Sequence, residues 1–69
     1  MLTESSLVEA FTARGYKLTQ PRRAVLKVIA GSGATLSPAE IYARAKKVYA
    51  RTGLVTVYRT LEALAECGA

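Results

Sequence analysis

Arg59 stands in a run that reads Thr56-Val57-Tyr58-Arg59-Thr60, a long cationic fork set among two small hydroxyls and an aromatic ring. These groups suit the reading of a base-paired polyanion. An arginine can donate two hydrogen bonds to the acceptors of a guanine, and an apolar ring can touch a thymine methyl. At about 100° per residue, Leu54, Val57, Leu61, Leu64 and Ala65 fall on one apolar arc, Arg59 projects from roughly the opposite side, Thr56 and Thr60 flank it, and Tyr58 sits at the border. The pattern predicts a helix with one core face and one face that a major groove admits. Taken alone, the segment also fits an ordinary surface helix carrying one solvated arginine.

Three further helices are predicted ahead of it. Thr3 caps the first, whose Leu7, Val8 and Phe11 share a face, and Gly15 supplies the left-handed position that ends it. Thr19 followed by Gln20-Pro21 starts the second, with Ala24, Val25, Val28 and Ile29 as its apolar stripe and an end near Ala30. Gly31-Ser32-Gly33 reads as a loop. Ser37-Pro38-Ala39-Glu40 is the clearest helix start in the chain: serine caps, proline takes the first turn, and glutamate closes a capping box. Ile41, Ala45 and Val48 continue that third helix, with Tyr42 and Tyr49 read as packing residues, until Thr52-Gly53 interrupts it. The short connection holds the third and fourth helices at a steep angle, as in a helix-turn-helix, and Gly68 is the expected stop of the fourth. No alternating β-branched run is present, so the fold expected over residues 1–69 is all-α.

Charge narrows the partners. Ten Lys and Arg against five Glu, with no His and no Asp, give a net charge of +5 and favour a polyanion. Arg14, Lys17, Arg22, Arg23 and Lys27 form one acid-free stretch, and Arg44, Lys46, Lys47 and Arg51 form a second, read as a solubilising face. Cys67 is the sole cysteine, so no intramolecular disulfide is expected, and it reads as a small apolar residue. No apolar run is long enough to span a bilayer and the start lacks an export pattern, which leads to the expectation of a cytoplasmic protein without a membrane partner. Catalysis finds little to work with: no imidazole activates Cys67, and Gly31-Ser32-Gly33 lacks the lysine and preceding strand of a phosphate loop.

Three linked segments carry a family resemblance. Gly15-Tyr16-Lys17-Leu18-Thr19-Gln20-Pro21-Arg22, then Leu36-Ser37-Pro38-Ala39-Glu40-Ile41-Tyr42, then Thr56-Val57-Tyr58-Arg59-Thr60-Leu61 resemble, in order and spacing, the DNA-binding domain of ferric uptake regulator family repressors. The resemblance covers about Leu7 to Gly68. It implies a winged-helix domain, here four helices with the β-hairpin wing truncated, that binds double-stranded DNA at an AT-rich, near-palindromic operator. By the same resemblance Arg59 reads a guanine, Tyr58 a thymine methyl, Lys17 enters an adjacent minor groove, and Arg22 and Thr56 hold phosphates; the helical period adds Thr60 to this DNA-facing flank. Phosphate contacts carry salt-dependent affinity and base contacts carry discrimination. Each residue keeps a plainer reading: Tyr58 as a packing residue, Arg22 paired with Glu9 or Glu66, Lys17 as a solvated loop lysine.

The chain also departs from the family pattern. Members continue past the position of Gly68 into the wing and a C-terminal domain that dimerises and binds metal, so residues 1–69 read as an N-terminal fragment of a homodimeric, metal-responsive regulator. Many members place a histidine just before the Leu36-Ser37 segment, where this chain has Ala34 and Thr35. Zinc, iron or manganese, implied for the full-length protein, needs converging imidazole, thiolate or carboxylate ligands, which one Cys and five scattered Glu do not supply. The rival class is a helix-turn-helix module for protein contacts or non-specific nucleic-acid binding, with Arg59 as a plain surface residue.

Overall fold

Helix boundaries follow the capping chemistry. In the computed structural model, which describes residues 3–32 and 35–67, α1 spans Glu4–Ala13, α2 Gln20–Gly31, α3 Pro38–Val48 and α4 Leu54–Glu66. Thr3, Thr19 and Ser37 each accept a backbone N–H with the side-chain oxygen, closing the first turns of α1, α2 and α3. Proline sits in the first turn of α2 and α3, where a missing N–H does no harm. Gly15 takes φ +86°, the left-handed position that turns the chain out of α1. No strand occurs among the described residues.

Some expectations shift. Gly31 closes α2 instead of opening the loop, while Gly33 and the stop at Gly68 lie outside the described residues. Val48, assigned to the core stripe of α3, is 48% exposed. Leu54 and Ala65, placed on the apolar arc of α4, are also exposed, because they lie at the edges of that arc where no neighbouring helix reaches. Ala63 and Leu26 take up the core roles instead.

Two clusters make up the interior. Leu7 and Phe11 of α1 pack with Leu26 of α2 and with Ala63 and Leu64 of α4. Ala24 and Val25 of α2 pack with Ile41 and Ala45 of α3 and with Val57 of α4, and Tyr42, Tyr49 and Leu61 cover them. Thus α2 and α4 each serve both clusters, and α4 is held along its length. Phe11, with 0% exposure, anchors the first cluster; burying a side chain of that size contributes about 1.5–3 kcal/mol.

The turn between α3 and α4 has its own lock. Thr52 is 3% exposed, and both its N–H and its hydroxyl donate to the Tyr49 carbonyl, at 3.1 and 2.7 Å. A buried hydroxyl needs such a partner. The pair stiffens the five-residue connection, residues 49–53, from which α4 leaves α3.

Candidate nucleic-acid interface

Packing decides which face of α4 is offered. Val57, Thr60, Ala63 and Leu64 are buried, which turns Val55, Tyr58, Arg59 and Glu62 outward. Arg59 is exposed and Tyr58 is 49% exposed, so the ring is presented to solvent and not packed against a neighbouring helix. Thr56 is half-buried beside them. Thr60 corrects the expectation that placed it among the DNA-facing residues. It is 0% exposed and its hydroxyl donates to the Thr56 carbonyl at 2.7 Å, so it is a core residue with a satisfied polar group. Its position one step from Arg59 misled because the 3.6-residue period sends Val57 and Thr60 to the same inner side.

The start of α4 differs from the other three. Gly53 is the N-cap residue and no side chain caps the helix, and its first turn, like that of α2, carries no acid. The exposed amide end and the partial positive charge of the helix dipole both favour an anion here. Arg51, two residues ahead of Gly53, is exposed on the approach.

A second basic element lies in the loop between α1 and α2. Lys17 is exposed, and its backbone carbonyl accepts a 2.7 Å hydrogen bond from Nη1 of Arg22. The Arg22 guanidinium stands 5.9 Å from the centroid of the Phe11 ring and is half-buried. Neither Glu9 nor Glu66 is its partner: Arg22 holds the Lys17 loop in shape, and it reaches solvent with only part of its fork. Next to Lys17, Tyr16 packs on Phe11 at 5.0 Å between ring centroids, and its hydroxyl donates to Oε2 of Glu66 at the end of α4. That hydrogen bond raises the Tyr16 pKa above its ordinary value. The loop is thereby tied to both α2 and α4, which gives Lys17 a defined place relative to the outer face of α4.

The first acid-free stretch is not acid-free in space. Nε of Arg23 lies 3.4 Å from Oε2 of Glu4, a pair across α1 and α2 that the sequence separation hid. The second cluster stays exposed, with Nζ of Lys46 standing 5.2 Å above the Tyr42 ring.

Metal donors do not converge. Among the described residues no three His, Cys, Asp or Glu side chains gather in one place. Glu4 faces Arg23, Glu40 closes the α3 capping box, Glu66 faces Tyr16, and Cys67 donates its thiol to the Ala10 carbonyl at 3.5 Å. The described residues therefore do not fit a metal ion. Nor is any described helix long and apolar enough to cross a membrane.

Sequence reasoning passed over Val55 and Thr52, and it gave Leu54 to the core arc, whereas Leu54 is 43% exposed. Val55 was legible: it lies about 40° from Arg59 on a helical projection, on the outward side. Thr52 was not, since its burial depends on how the α3–α4 turn folds back on Tyr49.

A short, locked turn joining two helices, the second with an outward cationic and aromatic face, defines a helix-turn-helix domain. The profile of the ferric uptake regulator family matches residues 13–69, and the chain belongs to that family. It is 33% identical over 63 residues to a ferric uptake regulation protein of Rhizobium leguminosarum bv. viciae, a match that covers 91% of this chain and 44% of that protein. The chain thus spans less than half the length of that relative. No solved structure matches it.

Proposed function

We propose that this chain is the N-terminal, sequence-specific DNA-binding domain of a metal-responsive transcriptional repressor, and that it binds an AT-rich, near-palindromic operator in the major groove through α4. The observation that carries this reading is the outward placement of Tyr58 and Arg59 on a helix whose opposite face is packed into both core clusters. Arg59 reads guanine with its fork and Tyr58 meets a thymine methyl. Thr56 and the uncapped first turn of α4 meet the phosphates that flank the groove, and contacts of that kind fix register without reading sequence.

Lys17 reaches the adjacent minor groove, which in AT-rich tracts is narrow and strongly negative. Arg22 serves chiefly by holding the Lys17 carbonyl and adds phosphate affinity with the rest of its fork. In the full-length protein a homodimer places two such domains on the two half-sites, and linkage multiplies their affinity. Zinc, iron or manganese binds there through residues outside this chain, and the protein works in the cytoplasm, where the operator is.

An amide-resolved NMR titration with an AT-rich palindromic duplex and a scrambled duplex tests the reading, because it registers the weak binding expected of one half of a dimer. Shifts concentrated at residues 55–59 and at Lys17 and Arg22, larger for the palindrome, are the expected result. Equal shifts for both duplexes, spread over Arg44 to Arg51, would replace it with a non-specific basic module.

A further inference from the structure

Among the described residues four large apolar side chains stand exposed, and three of them, Leu54, Val55 and Tyr58, share the first turns of α4. Val55 is the most exposed, at 63%. On a helix, positions three and four apart are surface neighbours, so its Cβ lies about 5–6 Å from those of Tyr58 and Arg59. As a β-branched residue it holds essentially one rotamer in a helix, and it can present its methyl groups with little freedom left to lose.

Charge decides what meets this patch. Arg51 ahead of α4 and Arg59 on it are both exposed, and the first turn contains no acid. The outward Glu62 lies about two turns beyond Val55, so at the patch itself a second copy would set cations against cations, whereas a polyanion meets opposite charge. Within a nucleic-acid groove the apolar feature that a rigid valine fits is the C5-methyl of thymine. We propose that Val55 is a specificity-determining residue that selects a thymine near the guanine read by Arg59, by packing its methyl groups on the thymine methyl. This inference rests on the proposed major-groove binding by α4.

The probe is a duplex enriched by the chain from a randomised pool, with each thymine replaced singly by deoxyuridine. That replacement keeps every hydrogen-bonding group and removes only the methyl. Two thymine positions should be sensitive, the one met by Tyr58 and the one met by Val55, and at the latter the replacement is expected to weaken binding of the wild-type chain about fourfold, the worth of one buried methyl. In Val55→Ala the same replacement should cost less than about 1.5-fold, while Arg59→Ala keeps the full sensitivity. Alanine is the better helix former, so Val55→Ala keeps its helical circular-dichroism signal. If every sensitive thymine keeps its sensitivity in Val55→Ala and loses it in Tyr58→Ala, all the methyl contacts belong to Tyr58 and the inference falls while the DNA reading stands. If no duplex is enriched and the amide titration also shows no preference for the palindrome, the reading of α4 as a base-reading helix falls and takes the inference with it.

Discussion

α3 and α4 meet across one locked turn, yet their first turns are finished in opposite ways. At the start of α3, Ser37 Oγ accepts from the Glu40 N–H at 3.2 Å and Glu40 Oε1 accepts from the Ser37 N–H at 3.0 Å, so the helix satisfies its own end. Its last turn carries Lys46 and Lys47, which suit the negative end of the dipole. α4 has none of these: no side-chain cap, no acid in its first turn, no base in its last. It also keeps Leu54, Val55 and Tyr58 exposed. The difference teaches a division of labour. α3 spends its polar groups on its own stability and acts as a support, while α4 draws stability from packing on both clusters and leaves its amide end and outer side chains for a ligand.

The largest expected effect tests whether the outer face of α4 reads bases. Arg59→Ala should remove about 1–3 kcal/mol of preference for the cognate base pair over its alternatives. Arg59 is exposed, so stability should move by no more than about 0.5 kcal/mol. Arg44→Ala on α3 is the partner experiment, and it should leave the preference intact. Competition binding with single-base operator variants reads both, and equal losses of specific and random DNA for Arg59→Ala would erase the contrast between the two helices.

Next in size is the support itself. Ser37→Ala removes the acceptor that closes α3 and should cost about 1 kcal/mol of stability by urea denaturation. Base preference should be unchanged, since nothing on the outer face of α4 depends on that hydroxyl. A change in preference equal to that of Arg59→Ala would mean that α3 takes part in reading.

These two helices also differ in how far the chain announces them. α3 is written locally: Ser37-Pro38-Ala39-Glu40 names its own start, and the structure keeps every one of those contacts. The four-helix order, the Gly15 turn and the outward Arg59 follow equally from short-range chemistry and the helical period. What was hidden depends on distant parts of the chain. Thr60 is buried because it shares the inner side of α4 with Val57, and that side packs into the core. Arg22 is held by the Lys17 carbonyl, Arg23 by Glu4 across 19 positions, and Tyr16 by Glu66 across 50. A pattern read along one helix has no access to such partners, which is why the charged patches were legible and their pairings were not.

A smaller effect sharpens the contrast at the N-termini. Gly53 has φ −100° and ψ 157°, a conformation that any capping residue adopts, and a Cβ built there meets nothing within 4 Å. Gly53→Asp should therefore cap α4 and raise stability by a few tenths of a kcal/mol, or more where the dipole adds its share. The same carboxylate stands where a phosphate would approach, so DNA affinity should fall while stability rises. Opposite signs in thermal denaturation and in duplex binding are the signature of an end left open for a ligand; a parallel gain in both would show that the missing cap has no bearing on binding.

The smallest effect is electrostatic and belongs to α3 alone. Hydrogen bonds from the Ser37 backbone N–H and then from its side chain hold the Glu40 carboxyl below its ordinary value of 4.5. A carboxyl lowered in the folded state binds fewer protons there than in the unfolded chain. Its contribution is therefore complete above pH 4.5 and is lost as pH falls from there through the lower folded-state value. Glu40→Gln keeps an acceptor for the Ser37 N–H but no charge, so its stability deficit at pH 7 should shrink as acid protonates the wild-type carboxyl. Urea midpoints of the two proteins, taken in steps below pH 5, should converge, while the amide resonances of the first turn of α4, which has no acid to titrate, should stay flat over the same steps. A deficit that persists unchanged at the acid end would assign the capping box to geometry and not to charge. A titration seen at the start of α4 as well would show that the two helix ends are electrically coupled across the turn, and the division between a closed support and an open reading end would then have to be redrawn.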